Sequence, residues 1–176
     1  MEKNILKISI IFATVIKYLL YFCSAMMCIG IFLIIAFKDR VMSMLELEDI
    51  GRVVDKATAF PFVVWTCFNT LAILICIIVS VTKFQKILMN FQKKEYFSNN
   101  NSKYSIEILI AIIILTICQI LAQISFNYMH VTDVSVIYDL SVKDYLFNIV
   151  LVVIAFISTI LFKNGKILKD DSESII

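Results

Sequence analysis

The stretch FQKKEYFSNNNSKYSIEILI, residues 91–110, decides the fold because its polar residues separate two long apolar segments. The first apolar segment covers residues 60–82, and the second begins at Ile106. Ser98 precedes the second segment and is a favourable N-cap residue, since its hydroxyl can accept a hydrogen bond from a free backbone N–H. The pattern therefore predicts two apolar helices joined by a short basic turn.

The remainder of the chain repeats this apolar character and predicts an all-α membrane protein. Hydrophobic residues make up 61% of the 176 residues, and the mean hydropathy is +0.92, whereas soluble domains are about 45–50% apolar. A run of about 20 apolar residues is long enough to cross a bilayer. We expect one domain, residues 1–176, folded as a four-transmembrane-helix bundle with spans at residues 18–37, 60–82, 106–126 and 145–162.

The segment before Tyr18 is already apolar from Ile5, and a single span starting there would be too long for a bilayer. Its lysines are Lys3, Lys7 and Lys17. Because long cationic side chains reach back to the membrane interface, we expect this segment to approach along the surface as an amphipathic stretch. A cleaved signal peptide is the alternative, but the apolar run continues unbroken to Phe37, which favours an uncleaved anchor.

The distribution of Lys and Arg predicts the orientation. Three of these residues precede Tyr18, five lie within residues 83–105 and three follow Phe162, which is eleven of the 16 in the chain. Cytoplasmic loops of membrane proteins carry the excess of Lys and Arg. We therefore expect a multi-pass protein of the plasma membrane whose N-terminus, C-terminus and 91–105 turn are all cytoplasmic.

Lysines at the end of the second span are candidate contacts for anionic lipid headgroups, and they are Lys83, Lys86, Lys93 and Lys94. The second helix should continue through this region, because residues 84, 87, 88 and 91 are apolar at helical spacing. Each lysine near an anionic surface contributes about 1 kcal/mol of binding free energy. A simply solvated turn and a docking site for an acidic cytoplasmic protein are the alternatives.

Small side chains recur along one face of two spans, a pattern that lets membrane helices approach closely. They are Ala72, Cys76 and Ser80 in the second span, and Ala111, Cys118 and Ala122 in the third. We expect these stripes to pack against each other. A homo-oligomer surface is the alternative, since the same pattern also serves self-association.

Uncharged polar residues inside the spans are candidate intramembrane contacts. Asn69 lies in the second span, and Gln119 and Gln123 lie one turn apart in the third. Amides in lipid usually form hydrogen bonds across helices. The same three residues would line the path of a small transporter or channel. Ionisable groups mark most proton-coupled pathways, and the predicted spans hold none away from their ends, which disfavours proton coupling.

The two outer loops carry different patterns. Residues 38–59 mix apolar and acidic residues and predict a short amphipathic helix. Residues 131–140 include an alternating segment, which predicts a short strand that would need a pairing partner. Ser141 and Asp144 resemble a capping box at the start of the fourth helix. His130 is the chain's single histidine, and it could be a pH sensor or a solvated side chain.

The sequence offers no pattern for catalysis, a metal or a cofactor. The five cysteines contain no C-x-x-C pair, which leaves neither a zinc ribbon nor a thioredoxin-like motif. Motifs for nucleophilic hydrolysis, zinc peptidases and phosphate binding are also missing from the sequence. We therefore expect a non-enzymatic protein with no cofactor and no direct contact with nucleic acid.

Two stretches resemble the bacterial family called domain of unknown function twenty-nine seventy-five. The inter-helix stretch of the family has a basic turn, then Phe-Ser and an Asn, which correspond to Phe97, Ser98 and Asn101. The C-terminal stretch has an aromatic, a basic residue, a Gly, acidic residues and an apolar pair. Here these are Phe162, Lys163, Gly165, Asp170, Asp171, Glu173 and Ile175–Ile176. The resemblance implies a small four-helix membrane protein commonly encoded beside a helix-turn-helix regulator.

These observations favour a bacterial membrane protein that works by binding. We expect a regulatory or immunity-type role, with another membrane protein or a cytoplasmic regulatory protein as partner. The expected working surfaces are the basic turn, the C-terminal tail and the outer loops. A subunit of a small transporter or channel is the second hypothesis.

Overall fold

The structure is a computed structural model that describes residues 2–47, 56–128 and 142–174. Every regular element in these ranges is an α-helix. The helices are α1 (Glu2–Ala36), α2 (Lys38–Leu47), α3 (Lys56–Gln92), α4 (Asn99–Tyr128) and α5 (Val142–Ser174).

Four of the helices are long and apolar enough to cross a membrane. The candidate spans are Asn4–Ala36, Ala59–Gln92, Asn99–Tyr128 and Tyr145–Ser172. A helix is the conformation expected of an apolar segment in lipid, because it satisfies every backbone N–H and C=O within the segment. The structure thus confirms the prediction of an all-α fold with four helices that are long and apolar enough to span a membrane.

The first helix is longer than the predicted span, because it begins at Glu2 and not at Tyr18. α1 is continuous over 35 residues, a length of about 52 Å, whereas the hydrocarbon core of a bilayer is about 30 Å thick. Lys17, expected to reach the lipid interface, instead donates a hydrogen bond to Gln85 on α3 (Nζ to Oε1, 2.9 Å). Residues just before Tyr18 therefore contact α3.

The other spanning helices also extend beyond their predicted apolar segments. α3 continues to Gln92, as the helical spacing of residues 84–91 predicted. α4 begins at Asn99 and α5 runs to Ser174, although their apolar segments begin at Ile106 and end at Phe162. Hydropathy locates the part of a helix that prefers lipid, whereas caps and turns determine where the helix ends.

The long helices pack in chain order. α1 packs against α3, α3 against α4, and α4 against α5. Among the described residues, no other pair of long helices packs along its length. The arrangement is an open bundle in which α1 has one neighbour and α4 lies between two. We call the end that contains the α3–α4 turn (residues 93–98) the turn end.

The outer loops are described only in part. α2 occupies the first ten residues of the 38–59 loop, where the sequence predicts a short helix. The predicted strand at residues 131–140, His130 and Ser141 lie outside the described residues.

Candidate functional site

The turn after α3 ends the helix with a lysine in a backbone conformation that glycine normally adopts. Lys94 has a φ of 65°, in the left-handed region that is costly for residues with a Cβ. Its N–H donates to the carbonyl of Phe91 (2.9 Å), and the N–H of Glu95 donates to the carbonyl of Asn90 (2.9 Å). These two bonds form a Schellman motif, which satisfies free carbonyls at the end of a helix.

Asn101, on the first turn of α4, holds this turn in place. Its side chain is completely buried. The amide Nδ2 donates to the carbonyls of Glu95 (2.9 Å) and Tyr96 (2.8 Å), while Oδ1 accepts from Nδ2 of Asn90 (2.6 Å). One side chain therefore ties the turn to the end of α3 and the start of α4.

Aromatic rings join the turn to α5. Phe91 contacts Tyr96 and Phe162, with ring centroids 5.5 and 5.9 Å apart. Phe97 lies directly on Gly165, where a Cβ would come within 2.1 Å of the Phe97 ring. Glycine is needed at position 165 because only a hydrogen leaves room for this ring. We call Phe91, Tyr96, Phe97, Asn101, Phe162 and Gly165 the turn cluster.

The turn cluster brings together the two stretches that the sequence analysis singled out. Phe97 and Asn101 come from the inter-helix stretch, and Phe162 and Gly165 come from the C-terminal stretch. Phe97 and Gly165 are 68 positions apart in sequence, yet they are in contact. The sequence alone gave no signal for this contact, since the spacing of aromatic residues within one helix does not show which helix they meet.

Ser98 occupies the predicted N-cap position, but its hydroxyl does not cap the helix. The carbonyl of Ser98 accepts from the N–H of Asn101 (3.0 Å). The Ser98 hydroxyl is buried and has no hydrogen-bond partner. The prediction of a side-chain cap is therefore wrong, because the neighbouring Asn101 supplies the polar contacts that order the turn.

The candidate lysines fall into two pairs. Lys83 forms an ion pair with Glu107 on α4, and both Lys83 and Lys86 lie 5.4 Å from the centre of the Tyr104 ring. Lys93 and Lys94 lie in the turn itself and are exposed. The first pair is thus partly engaged by α4, whereas the second projects from a fixed backbone and is open to a partner.

Ionisable side chains lie further inside the helices than the sequence analysis expected. Lys83 is nine residues before the end of α3, and Glu107 is eight residues after the start of α4. Exposed apolar side chains continue past this level on α1 (Ile5, Ile8) and on α5 (Leu161). The Lys83–Glu107 pair therefore lies within the apolar surface, where ionised groups are normally paired.

A second polar contact joins α1 to α3 at a similar level. Gln85 is buried, accepts from Lys17 and donates from Nε2 to the hydroxyl of Thr14 (2.6 Å). Lys17 also lies over its neighbour Tyr18, with Nζ 5.5 Å from the ring centre. Sequence reasoning missed this contact, although a lysine and a glutamine within otherwise apolar helices were a usable signal.

The predicted intramembrane polar residues form hydrogen bonds between helices. Asn69 donates to the carbonyl of Cys118 (2.9 Å). Gln119 accepts from Asn148, and Gln123 accepts from Tyr145. These contacts join α3 to α4 and α4 to α5. The amides are therefore engaged by neighbouring helices, an arrangement that fits structural contacts better than the lining of a path.

The small residues lie at or near the helix contacts. Cys76, Ala111 and Ala122 are buried, and Ala72, Ser80 and Cys118 are partly buried. Ala155 on α5 is also buried, and its carbonyl accepts from Ser105 on α4 (3.2 Å). Small side chains thus permit the close approach at which such backbone contacts form.

No family model, curated protein or solved structure matches this chain.

Proposed function

We propose that the chain is a non-enzymatic bacterial plasma-membrane protein that works by binding, in a regulatory or immunity-type role. The observation that supports this most is the turn cluster. It holds two exposed lysines, Lys93 and Lys94, on a backbone fixed by Asn101 and by the Schellman motif. A rigid, exposed basic turn is suited to recognition, because little conformational entropy is lost when a partner binds.

The proposed orientation places this turn and both termini in the cytoplasm. The excess of lysine at the turn end supports this orientation. The C-terminal part of α5 continues past the turn cluster as a charged helix that ends at Ser174. The proposed partner is a cytoplasmic or membrane protein with an acidic surface, which would meet the turn and this helix extension.

The resemblance to the family called domain of unknown function twenty-nine seventy-five remains part of the proposal. It rests on the two stretches of sequence named above, which meet in the structure where Phe97 contacts Gly165. A regulatory role agrees with the genetic context that the resemblance implies. No feature of the described residues favours the transporter hypothesis over binding.

A charge reversal at the turn tests the proposal. Lys93→Glu together with Lys94→Glu should abolish the recovery of any partner that recognises the basic turn, because acidic surfaces would then repel each other. The measurement is chemical cross-linking in intact cells, followed by purification and quantitative mass spectrometry of the cross-linked proteins.

The matched control is the double reversal of Lys38→Glu and Arg40→Glu, two exposed cations at the opposite end. We expect a protein that cross-links to the wild type and to this control but not to the turn variant. If every cross-linked protein were recovered equally with all three chains, the basic turn would not be the binding surface.

A further inference from the structure

α3, α4 and α5 enclose an apolar trough near the turn end. Its volume is about 370 Å³, within the range of roughly 300–1,000 Å³ typical of small-molecule sites. Phe84 and Leu88 line it from α3, Ile108 and Ile112 from α4, and Leu151 and Ile154 from α5. Because α3 and α5 do not pack along their length, the trough opens sideways between them.

The walls of the trough offer no polar group to a ligand. Its polar lining residues are Ser105 and Ser158, and both hydroxyls donate to backbone carbonyls. Ser105 donates to Ala155 (3.2 Å), and Ser158 donates to Ile154 (2.8 Å). Any polar group placed here would lose its hydrogen bonds to water without replacement, which is costly. The trough therefore fits a hydrocarbon chain.

The turn cluster closes one end of the trough. The rings of Phe91 and Phe162 are in contact at this end, and Phe97 packs on Gly165 just beyond them. Entry from the turn side is thus blocked by aromatic rings. An occupant must come sideways from the surrounding lipid.

The length of the trough matches one leaflet of a bilayer. Leu151 and Phe162 lie at its two ends on α5. The eleven-residue separation corresponds to about 16 Å of helix, close to half of the roughly 30 Å hydrocarbon core. A spanning helix of a partner would need a groove along the whole core. One acyl chain from the leaflet at the turn end needs only this length.

Cations lie immediately beyond the closed end of the trough. Lys163 follows Phe162, Lys94 is three residues after Phe91, and both lysines are exposed. Lysines at this depth attract anionic headgroups. A hydrocarbon trough that ends beside exposed ammonium groups matches an anionic phospholipid, whose chain and headgroup are arranged in the same order.

We propose that the trough is a specific site for one acyl chain of a phospholipid with an anionic headgroup. The lipid belongs to the leaflet at the turn end, and its headgroup lies beside Lys94 and Lys163. The trough is distinct from the protein-binding surface proposed above because it faces lipid, although Lys94 belongs to both. Ser158→Phe leaves Lys94 unchanged, so its effect on lipid retention does not depend on the protein partner.

Filling the trough tests the proposal. Ser158→Phe should place a ring in the trough without removing a contact between helices, since the Ser158 hydroxyl bonds only within α5. Ile157→Phe is the matched control, because Ile157 is exposed on the same helix and does not line the trough. Each chain is reconstituted in nanodiscs of equal parts phosphatidylglycerol and phosphatidylcholine, extracted with mild detergent and analysed by native mass spectrometry.

The wild type and Ile157→Phe should each retain one phosphatidylglycerol, and Ser158→Phe should retain it about tenfold less. Equal retention by Ser158→Phe would overturn the site. Retention of phosphatidylcholine as readily as phosphatidylglycerol would overturn the headgroup preference. A lipid-free dimer of the wild type that Ser158→Phe dissociates would show that a second copy covers the trough instead.

A second measurement keeps the proposal testable if Ser158→Phe does not fold. Phosphatidylglycerol with a photoreactive group on its acyl chain is cross-linked to the wild type, and the labelled peptides are sequenced. Labels on residues 84–91 and 151–162 support the site. Labels confined to other segments would overturn it.

Discussion

At the residue scale, Asn101 determines the shape of the α3–α4 turn. Its side-chain Nδ2 donates to two carbonyls of the turn, and its Oδ1 accepts from Asn90. Because the side chain is completely buried, water cannot replace these bonds if they are lost. The turn therefore depends on this one side chain more than on its exposed lysines.

Asn101→Ala should lower the free energy of unfolding by about 2–4 kcal/mol, because it removes three hydrogen bonds and leaves buried partners unsatisfied. The measurement is thermal unfolding in detergent, with far-ultraviolet circular dichroism as the signal. Asn100→Ala is the control, since Asn100 is exposed on the same turn of α4 and should change stability little. Equal effects of the two substitutions would contradict the assigned role.

Part of the α3–α4 turn could be predicted from individual residues in the sequence. The polar run at residues 93–102 predicts a turn, and Ser98 stands at the residue before α4, where an N-cap belongs. The sequence could not show that Asn101 carries the hydrogen bonds while the Ser98 hydroxyl has none. Ser and Asn are both good capping residues, and the choice between them depends on the position of α3.

At the element scale, Gly165 lets α5 accept the Phe97 ring. Glycine ordinarily costs a helix about 1 kcal/mol relative to alanine. Here the missing Cβ is what permits contact, because a methyl group at position 165 would overlap the ring. The contact connects the turn to the last spanning helix.

Gly165→Ala should therefore destabilise the protein by about 1 kcal/mol or more, since the Phe97 ring must move out of its contact. In a Phe97→Ala background the same substitution should stabilise by about 1 kcal/mol through helix propensity. The measurement is the free energy of unfolding of the wild type, Gly165→Ala, Phe97→Ala and the double variant, which together show whether the sign of the effect reverses.

Gly30→Ala is the control for that experiment. A Cβ at position 30 would meet no atom within 4 Å. It should stabilise α1 slightly in both backgrounds. If Gly165→Ala behaved like Gly30→Ala with Phe97 present, the packing of Phe97 on Gly165 would be disproved.

The locations of the four long helices were predicted better than the residues at which these helices begin and end. Runs of apolar residues located all four spanning helices, because lipid leaves few alternatives to a helix. Hydropathy did not predict the polar extensions at Asn99–Ser105 and Lys163–Ser174. For α1 the apolar character from Ile5 was read correctly, and the length limit of a single span placed the predicted start too late, at Tyr18 and not at Glu2.

At the scale of the whole molecule, the first residues of α1 and the last residues of α5 lie toward the same end of the bundle. The contact between Gly165 and Phe97 puts the last part of α5 beside the α3–α4 turn. The bond between Lys17 and Gln85 puts the first part of α1 near the same end. One labelling experiment therefore fixes the orientation of all four helices.

In a background with the five cysteines replaced by alanine, Asn100→Cys should react with a membrane-impermeant maleimide only after the cells are permeabilised. Asp39→Cys, at the opposite end, should react in intact cells. The physical reason is the excess of lysine at the turn end, because the lysine-rich loops of membrane proteins are generally cytoplasmic. The reverse pattern of labelling would overturn the proposed orientation, although the fold would stand.

The open order of the helices has a mechanical consequence. Among the long helices described, α1 packs along its length against α3, and the hydrogen bonds between side chains of these two helices join Lys17, Gln85 and Thr14. A molecule pulled from its N-terminus would release α1 first, while α3, α4 and α5 stay bound together through their amides. Extraction from the C-terminus would instead have to break the Phe97 contact at the outset, so the two directions of pulling meet unequal resistance.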